Sequence, residues 1–186
     1  MSAAIEKLKS EHRTFRRFLD FFDQEMKAFE AGRSPRYELL EALLDYFTSF
    51  PDEWHHRKED LIYDALIMRS DLASSALYDL RLEHERLGAG AKQFGEHMSD
   101  LRRGSDLPMN VIVDAGKTYS RLLRRHMVKE DDVFFPMAER LLTLQDWRDV
   151  EHTIQASRND PEMNATLDRI DGVANTIEAI ASSEGN

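Results

Sequence analysis

The chain has no cysteine among its 186 residues. That absence excludes disulfides, thiolate-held zinc and iron–sulfur clusters, so any metal here must be held by imidazole and carboxylate. Basic residues are also short: 25 Lys and Arg stand against 35 Asp and Glu, a formal net charge of −10. Without a basic surplus to neutralise phosphates, nucleic acid is not an expected partner. No apolar run approaches the ~20 residues needed to span a bilayer. Residues 1–13 alternate charged and apolar side chains, with no signal-peptide core. The expected location is therefore the cytoplasm, with no membrane partner. Only five prolines and eight glycines interrupt the sequence, and Leu, Ala, Glu and Arg are abundant, which favours helix throughout.

The apolar residues that are present recur at spacings of three and four. A first helix is predicted over about Ser2–Glu30, with Ile5, Leu8, Phe15, Leu19, Phe22, Met26 and Phe29 inward. Gly32-Arg33-Ser34-Pro35 breaks it, with Ser34 as cap and Pro35 as the first residue of a second helix reaching Met68. Pro51 falls inside that second helix and should kink it. After a turn capped by Ser70 or Asp71, a third helix carries Leu80, Leu87, Ala91, Phe94, Met98 and Leu101. Beyond Gly104–Pro108, a fourth carries Ile112, Ala115, Tyr119, Leu122, Val133 and Met137, with Pro136 bending its end. The expected fold is all-α: an up-down-up-down four-helix bundle over residues 1–144. Residues 145–186 are expected to add one or two helices on its exterior, from Asp146 to Ser157 and from Asp160-Pro161, with a frayed end from Ser182 to Asn186.

One short pattern occurs twice. His55-His56-Arg57-Lys58-Glu59-Asp60 and His126-Met127-Val128-Lys129-Glu130-Asp131 both read His-x-x-Lys-Glu-Asp, 71 residues apart. On a helix, residues four apart lie on one face, so each copy presents an imidazole beside a carboxylate. Each is preceded by a Glu-His dipeptide, Glu11-His12 and Glu83-His84, themselves 72 residues apart. The four histidines His12, His55, His84 and His126 all occupy inward positions. In an antiparallel hairpin, residues equidistant from the turn share a height. The midpoint of His12 and His55 is 33.5, that of His55 and His84 is 69.5, and that of His84 and His126 is 105, each inside a predicted turn. All four imidazoles therefore reach one level, roughly 30 Å from the turns at 1.5 Å per residue.

A single inward histidine is ordinarily a hydrogen-bonded core residue. Four at one height, two of them followed by Glu59 and Glu130, are not explained that way, and two uncompensated buried carboxylates would cost several kcal/mol each. Metal cations remove that cost. Six N and O ligands on four helices are too many for one tetrahedral zinc and suit two ions bridged by the two glutamates. Imidazole and carboxylate without sulfur point to iron, with manganese or zinc as possible substitutes. His56 lies about 100° from His55 and about 60° from Glu59 on an ideal helix; it is expected to flank the site, although the Pro51 kink could swing it inward.

These residues together resemble hemerythrin, and more closely the bacterial hemerythrin-like proteins with an HHE cation-binding domain. The resemblance covers about residues 5–142. It rests on Glu11-His12, Phe50-Pro-x-x-Trp-His-His-x-Lys-Glu-Asp60, Glu83-His84, and His126-x-x-x-Glu130 followed by Phe135-Pro136. Asp146-Trp147 and Asp160-Pro161 are similar to the extension of some bacterial members. The resemblance implies a non-haem di-iron centre, oxo- or hydroxo-bridged, with Glu59 and Glu130 as bridging carboxylates. It implies binding or sensing of O2, NO or peroxide, by a monomer or homodimer. The alternative is a di-iron enzyme that decomposes peroxide or NO, or an iron donor in stress repair. Two positions depart from the oxygen carriers. Gly88 stands where they have a second histidine four residues after His84, and His-x-x-x-Glu replaces their His-x-x-x-x-Asp. One terminal ligand is thereby missing, which implies an open coordination position.

Overall fold

The computed structural model describes residues 2–70, 73 and 77–183. Among the described residues every regular element is helical: α1 (Ala3–Glu30), α2 (Tyr37–Phe50), α3 (His56–Ile67), α4 (Leu80–Arg102), α5 (Met109–Lys129), α6 (Phe135–Leu141), α7 (Leu144–Arg158) and α8 (Pro161–Ser182). Two five-residue π-helical turns, Pro51–His55 and Glu130–Phe134, join α2 to α3 and α5 to α6. The chain-breaking residues explain the stops. Gly32 and Gly104 adopt φ of 68° and 78°, a conformation that glycine takes without strain. At each, the next amide reaches back over the last turn: Arg33 N–H donates to the Ala28 carbonyl and Ser105 N–H to that of Asp100. This is the glycine-terminated helix end of the Schellman type.

The second helix begins at Tyr37, two residues later than Pro35. The buried Glu25 carboxylate takes both the backbone N–H and the Nε of Arg36, each at 2.8 Å, and so holds the entering segment extended. Ser70 caps the turn after α3, accepting from Ala73 N–H at 3.3 Å; Asp71, the other candidate cap, lies outside the described residues, as do residues 184–186 of the expected frayed end. The prolines act through hydrogen-bond register. Pro51 has no N–H, and a proline ring crowds the carbonyl four residues before it. His56 N–H consequently reaches five residues back to the Pro51 carbonyl, and before Pro136 the Phe135 N–H does the same to Glu130. Each π turn adds a residue to its helix and rotates the side chains beyond it. Val133, expected inward, is therefore 42% exposed, while Phe134 and Phe135 are fully buried.

Partner contacts give the helix directions. Phe15 meets Phe50 and Phe29 meets Tyr37, so α1 and α2 run oppositely. Gly90 lies beside Tyr119 and Gly116 beside Phe94, so α4 and α5 run oppositely as well. The apolar core falls into two clusters. One gathers residues of 15–29, 39–54, 87–98 and 112–127 with Ile170 and Ile177 of α8. The other gathers Ile5, Leu8, Ile62, Leu66, Leu80, Phe134 and Phe135 with Val150 of α7. Between them lies a layer with no aliphatic filling, and the duplicated motif occupies it.

Candidate metal centre

The layer is made of buried polar side chains. His12, Glu59 and Glu130 have no exposed surface, and His55, His126, His56 and His84 are buried. All six residues singled out by the sequence repeat are brought together there. Their donor atoms converge: His12 Nε2 lies 3.3 Å from Glu130 Oε2, and His55 Nε2 is 3.2 Å from Glu59 Oε1. His84 Nε2 lies 3.5 Å from Glu59 Oε2 and 3.4 Å from Glu130 Oε1, and His126 Nε2 is 2.9 Å from Glu130 Oε1. His12 Nε2 and His55 Nε2 face each other at 3.1 Å.

His56 joins them. The π turn ahead of it widens the local helix, so that adjacent histidines both turn into the layer, and the His56 ring stacks on His84 at 3.8 Å with 9° between planes. Among the described residues the donors form two groups of four that share Glu59: His12, His55, Glu59 and Glu130, and His56, Glu59, His84 and His126. Within each group the ligand atoms all lie within 4.8 Å of one another.

The opposite ring nitrogens are held from behind; the sequence leaves Lys58, Lys129 and Asp131 as either solvated or supporting the ligands, and gives Glu11 and Glu83 no role beyond their repetition. Glu11 Oε2 takes His55 Nδ1 at 2.7 Å, and the buried Lys58 donates to both Glu11 oxygens at 2.5 and 2.6 Å. The second copy repeats this: Glu83 takes His126 Nδ1 at 2.9 Å, with Lys129 donating to Glu83 at 3.2 Å. Asp131 takes His12 Nδ1 at 3.1 Å and is itself bound by Arg16, whereas its counterpart Asp60 turns away to Arg81. A carboxylate on Nδ1 fixes the tautomer that leaves Nε2 free to ligate. The recurring Glu-His dipeptide and the recurring lysine within His-x-x-Lys-Glu are the sequence signals for these contacts.

Charge follows the same geometry. Burial alone would press the imidazolium of His12 down, but Asp131, Glu130 and Glu59 outweigh it and push His12 up to about 11. Burial acts likewise on His126, and Glu130 and Glu83 overcome it, up to about 10. His55 is raised by Glu59 and Glu11 against burial. Burial and their mutual repulsion favour the neutral acids of Glu59 and Glu130, yet the surrounding imidazoles hold both well below the ordinary carboxylate range. Even so, both oxygens of Glu59, Glu130 Oε2 and His126 Nε2 are buried without a hydrogen-bond partner. Buried oxygens and a ring nitrogen that crowd common points without hydrogen-bonding are the donor arrangement a cation satisfies.

The model of the hemerythrin HHE cation binding domain matches residues 3–138. The chain belongs to this family. No curated protein and no solved structure matches it. Membership and the two buried groups together support metal binding by this chain. No helix among the described residues is long and apolar enough to cross a membrane.

Proposed function

We propose that the chain is a di-iron protein of the hemerythrin type that binds or senses O2, NO or peroxide, with manganese or zinc as possible substitutes for iron. One cation would be held by His12, His55, Glu59 and Glu130, the other by His56, Glu59, His84 and His126, with Glu130 also within reach of the second. The observation that carries this reading is the pair of overlapping four-residue groups sharing Glu59, whose two oxygens make no hydrogen bond. Seven N and O donors without sulfur fit iron. His56 takes the place left by Gly88, so the ligand count is restored from a different helix.

Iron bound here would supply reversible one-electron chemistry and a coordination position for a small ligand. The chain's own residues do the rest. Glu11, Glu83 and Asp131 orient the imidazoles, and the Phe15 and Phe135 rings packed at 5.0 Å on His55 and 5.5 Å on His12 keep water from the inner group. The four long rods that carry the ligands are read as an up-down-up-down bundle over residues 1–144, with residues 145–186 as an extension, in a cytoplasmic monomer or homodimer. Turnover of peroxide or NO is the alternative outcome. The test is anaerobic purification with metal quantitation, followed by optical spectra on adding O2, NO or H2O2. About two irons per chain, as bundle-core di-iron sites hold, and a ligand-dependent charge-transfer band are expected; zinc alone with no spectral response would overturn the iron assignment.

A further inference from the structure

The two groups of ligands meet solvent differently. In the group of His12, His55, Glu59 and Glu130, three side chains are fully buried and His55 is 2% exposed. On that flank a cavity of about 270 Å³ stops at Glu11, whose carboxylate is closed off by His55 and Lys58. The other group, though buried, comes nearer to solvent, with His56 6% and His84 8% exposed. His56 and His84 line a groove of about 510 Å³ between α3 and α4. Gly88, one turn after His84 on the same face, adds no side chain to fill it. Asp60 on α3 and Glu85 on α4 stand on its two walls with Arg57 and Arg81 between them, Asp60 accepting from Arg81.

Resting on the two-cation reading above, we infer that this groove is the path by which cations enter and leave. The cation held by His56, Glu59, His84 and His126 exchanges directly with solvent. The cation in the sealed group leaves only after the outer one has gone, because Glu59 is shared and His12 and His55 are buried behind it. The two positions therefore fill and empty in order, inner first in and outer first out.

The experiment loads the intact chain with Co2+ and withdraws it with EDTA, following the visible absorption of the bound ion. Two phases, each releasing one Co2+, are expected. The fast one rises in proportion to EDTA concentration, as attack through an open path requires; the slow one does not depend on it, because the protein must first open. Gly88→Leu, which fills the groove, slows the fast phase roughly tenfold, as escape then needs a local opening. Gly95→Leu on the same helix, where an added Cβ meets nothing within 4 Å, leaves both phases unchanged and controls for a stiffer helix. Two bound Co2+ leaving in one phase, or a fast phase untouched by Gly88→Leu in a folded variant, overturns the groove as the path and leaves the two-cation reading standing. Fewer than two Co2+ bound overturns both. Should Gly88→Leu fail to fold, the dependence on EDTA concentration in the unaltered chain still decides.

Discussion

Glu11 and Glu83 do not face the points on which the donor atoms converge; they act through the imidazoles they hold. Removing their charge while keeping their shape should loosen the ligands without emptying the layer. Glu11→Gln is expected to weaken cation binding about 10–100-fold, the usual cost of losing a carboxylate behind a metal-ligating histidine, and Glu83→Gln to do the same through His126. A chelator competition titration measures both; unaltered affinity in either variant removes its positioning role. Protons compete with the cation for the same nitrogens. Without a cation, His12 and His126 are pushed up to about 11 and about 10, so at neutral pH both carry protons that loading must expel. Cation affinity should therefore rise with pH between 6 and 8, by about one decade per pH unit for each proton displaced. A pH-independent affinity contradicts the protonation pattern. At this scale much can be read in advance: His12, His55, Glu59, His84, His126 and Glu130 announce themselves through periodicity and repetition. Glu11, Glu83 and Asp131 repeat with them but show no role in the sequence, because a carboxylate next to a ligand resembles any surface acid until the facing helix supplies the imidazole it bonds.

The π turns decide which side chains the helices present. Straight α-helical geometry separates His55 from His56 by about 100° and directs Val133 inward. With the extra residue of each turn, His56 enters the layer and Phe134 and Phe135 replace Val133 beneath it. Proline marks the irregularity in the sequence, but proline permits a kink, a stop or a π turn, and the choice is made by packing on the neighbouring helices. This is why the helices are legible and the register beyond Pro51 and before Pro136 is not. The start of α2 escapes for a similar reason, since the long-range grip of Glu25 on Arg36 outweighs the local Ser-Pro signal. Deleting Glu53 should convert the first π turn to ordinary helix and turn the buried face of α3 away from that of α2. Circular dichroism should then still report helix, while cation binding falls below detection; retained stoichiometric binding would show that the turn does not set the ligand geometry.

Across the whole molecule the polar layer divides the apolar core, and α7 and α8 close it from outside. Ile177 is fully buried in the cluster built by α1, α2, α4 and α5, so the extension is structural. Ile177→Ala is expected to cost about 2–5 kcal/mol, the range for truncating a buried isoleucine, measurable by denaturant unfolding; a loss within error would mean that α8 is dispensable to the core. The start of α7 is fixed by the reciprocal Thr143–Asp146 cap and by Arg69 just past the end of α3. Those contacts, Arg69 foremost, hold Asp146 down from 3.8 to about 2. A depressed carboxylate stabilises above its ordinary pKa, so the contribution is present above pH 3.8 and is lost as pH falls through about 2. Asp146→Asn should therefore cost on the order of 1 kcal/mol at pH 7, as caps do, and converge with the parent chain at about pH 2; a difference that persists there contradicts the linkage. All of this serves the one layer in which we propose that two cations share Glu59. Anomalous diffraction at the iron edge, from crystals grown with ferrous iron, tests that directly. Two peaks are predicted, one among His12, His55, Glu59 and Glu130 and one among His56, Glu59, His84 and His126; a single peak, or none in this layer, would contradict the account.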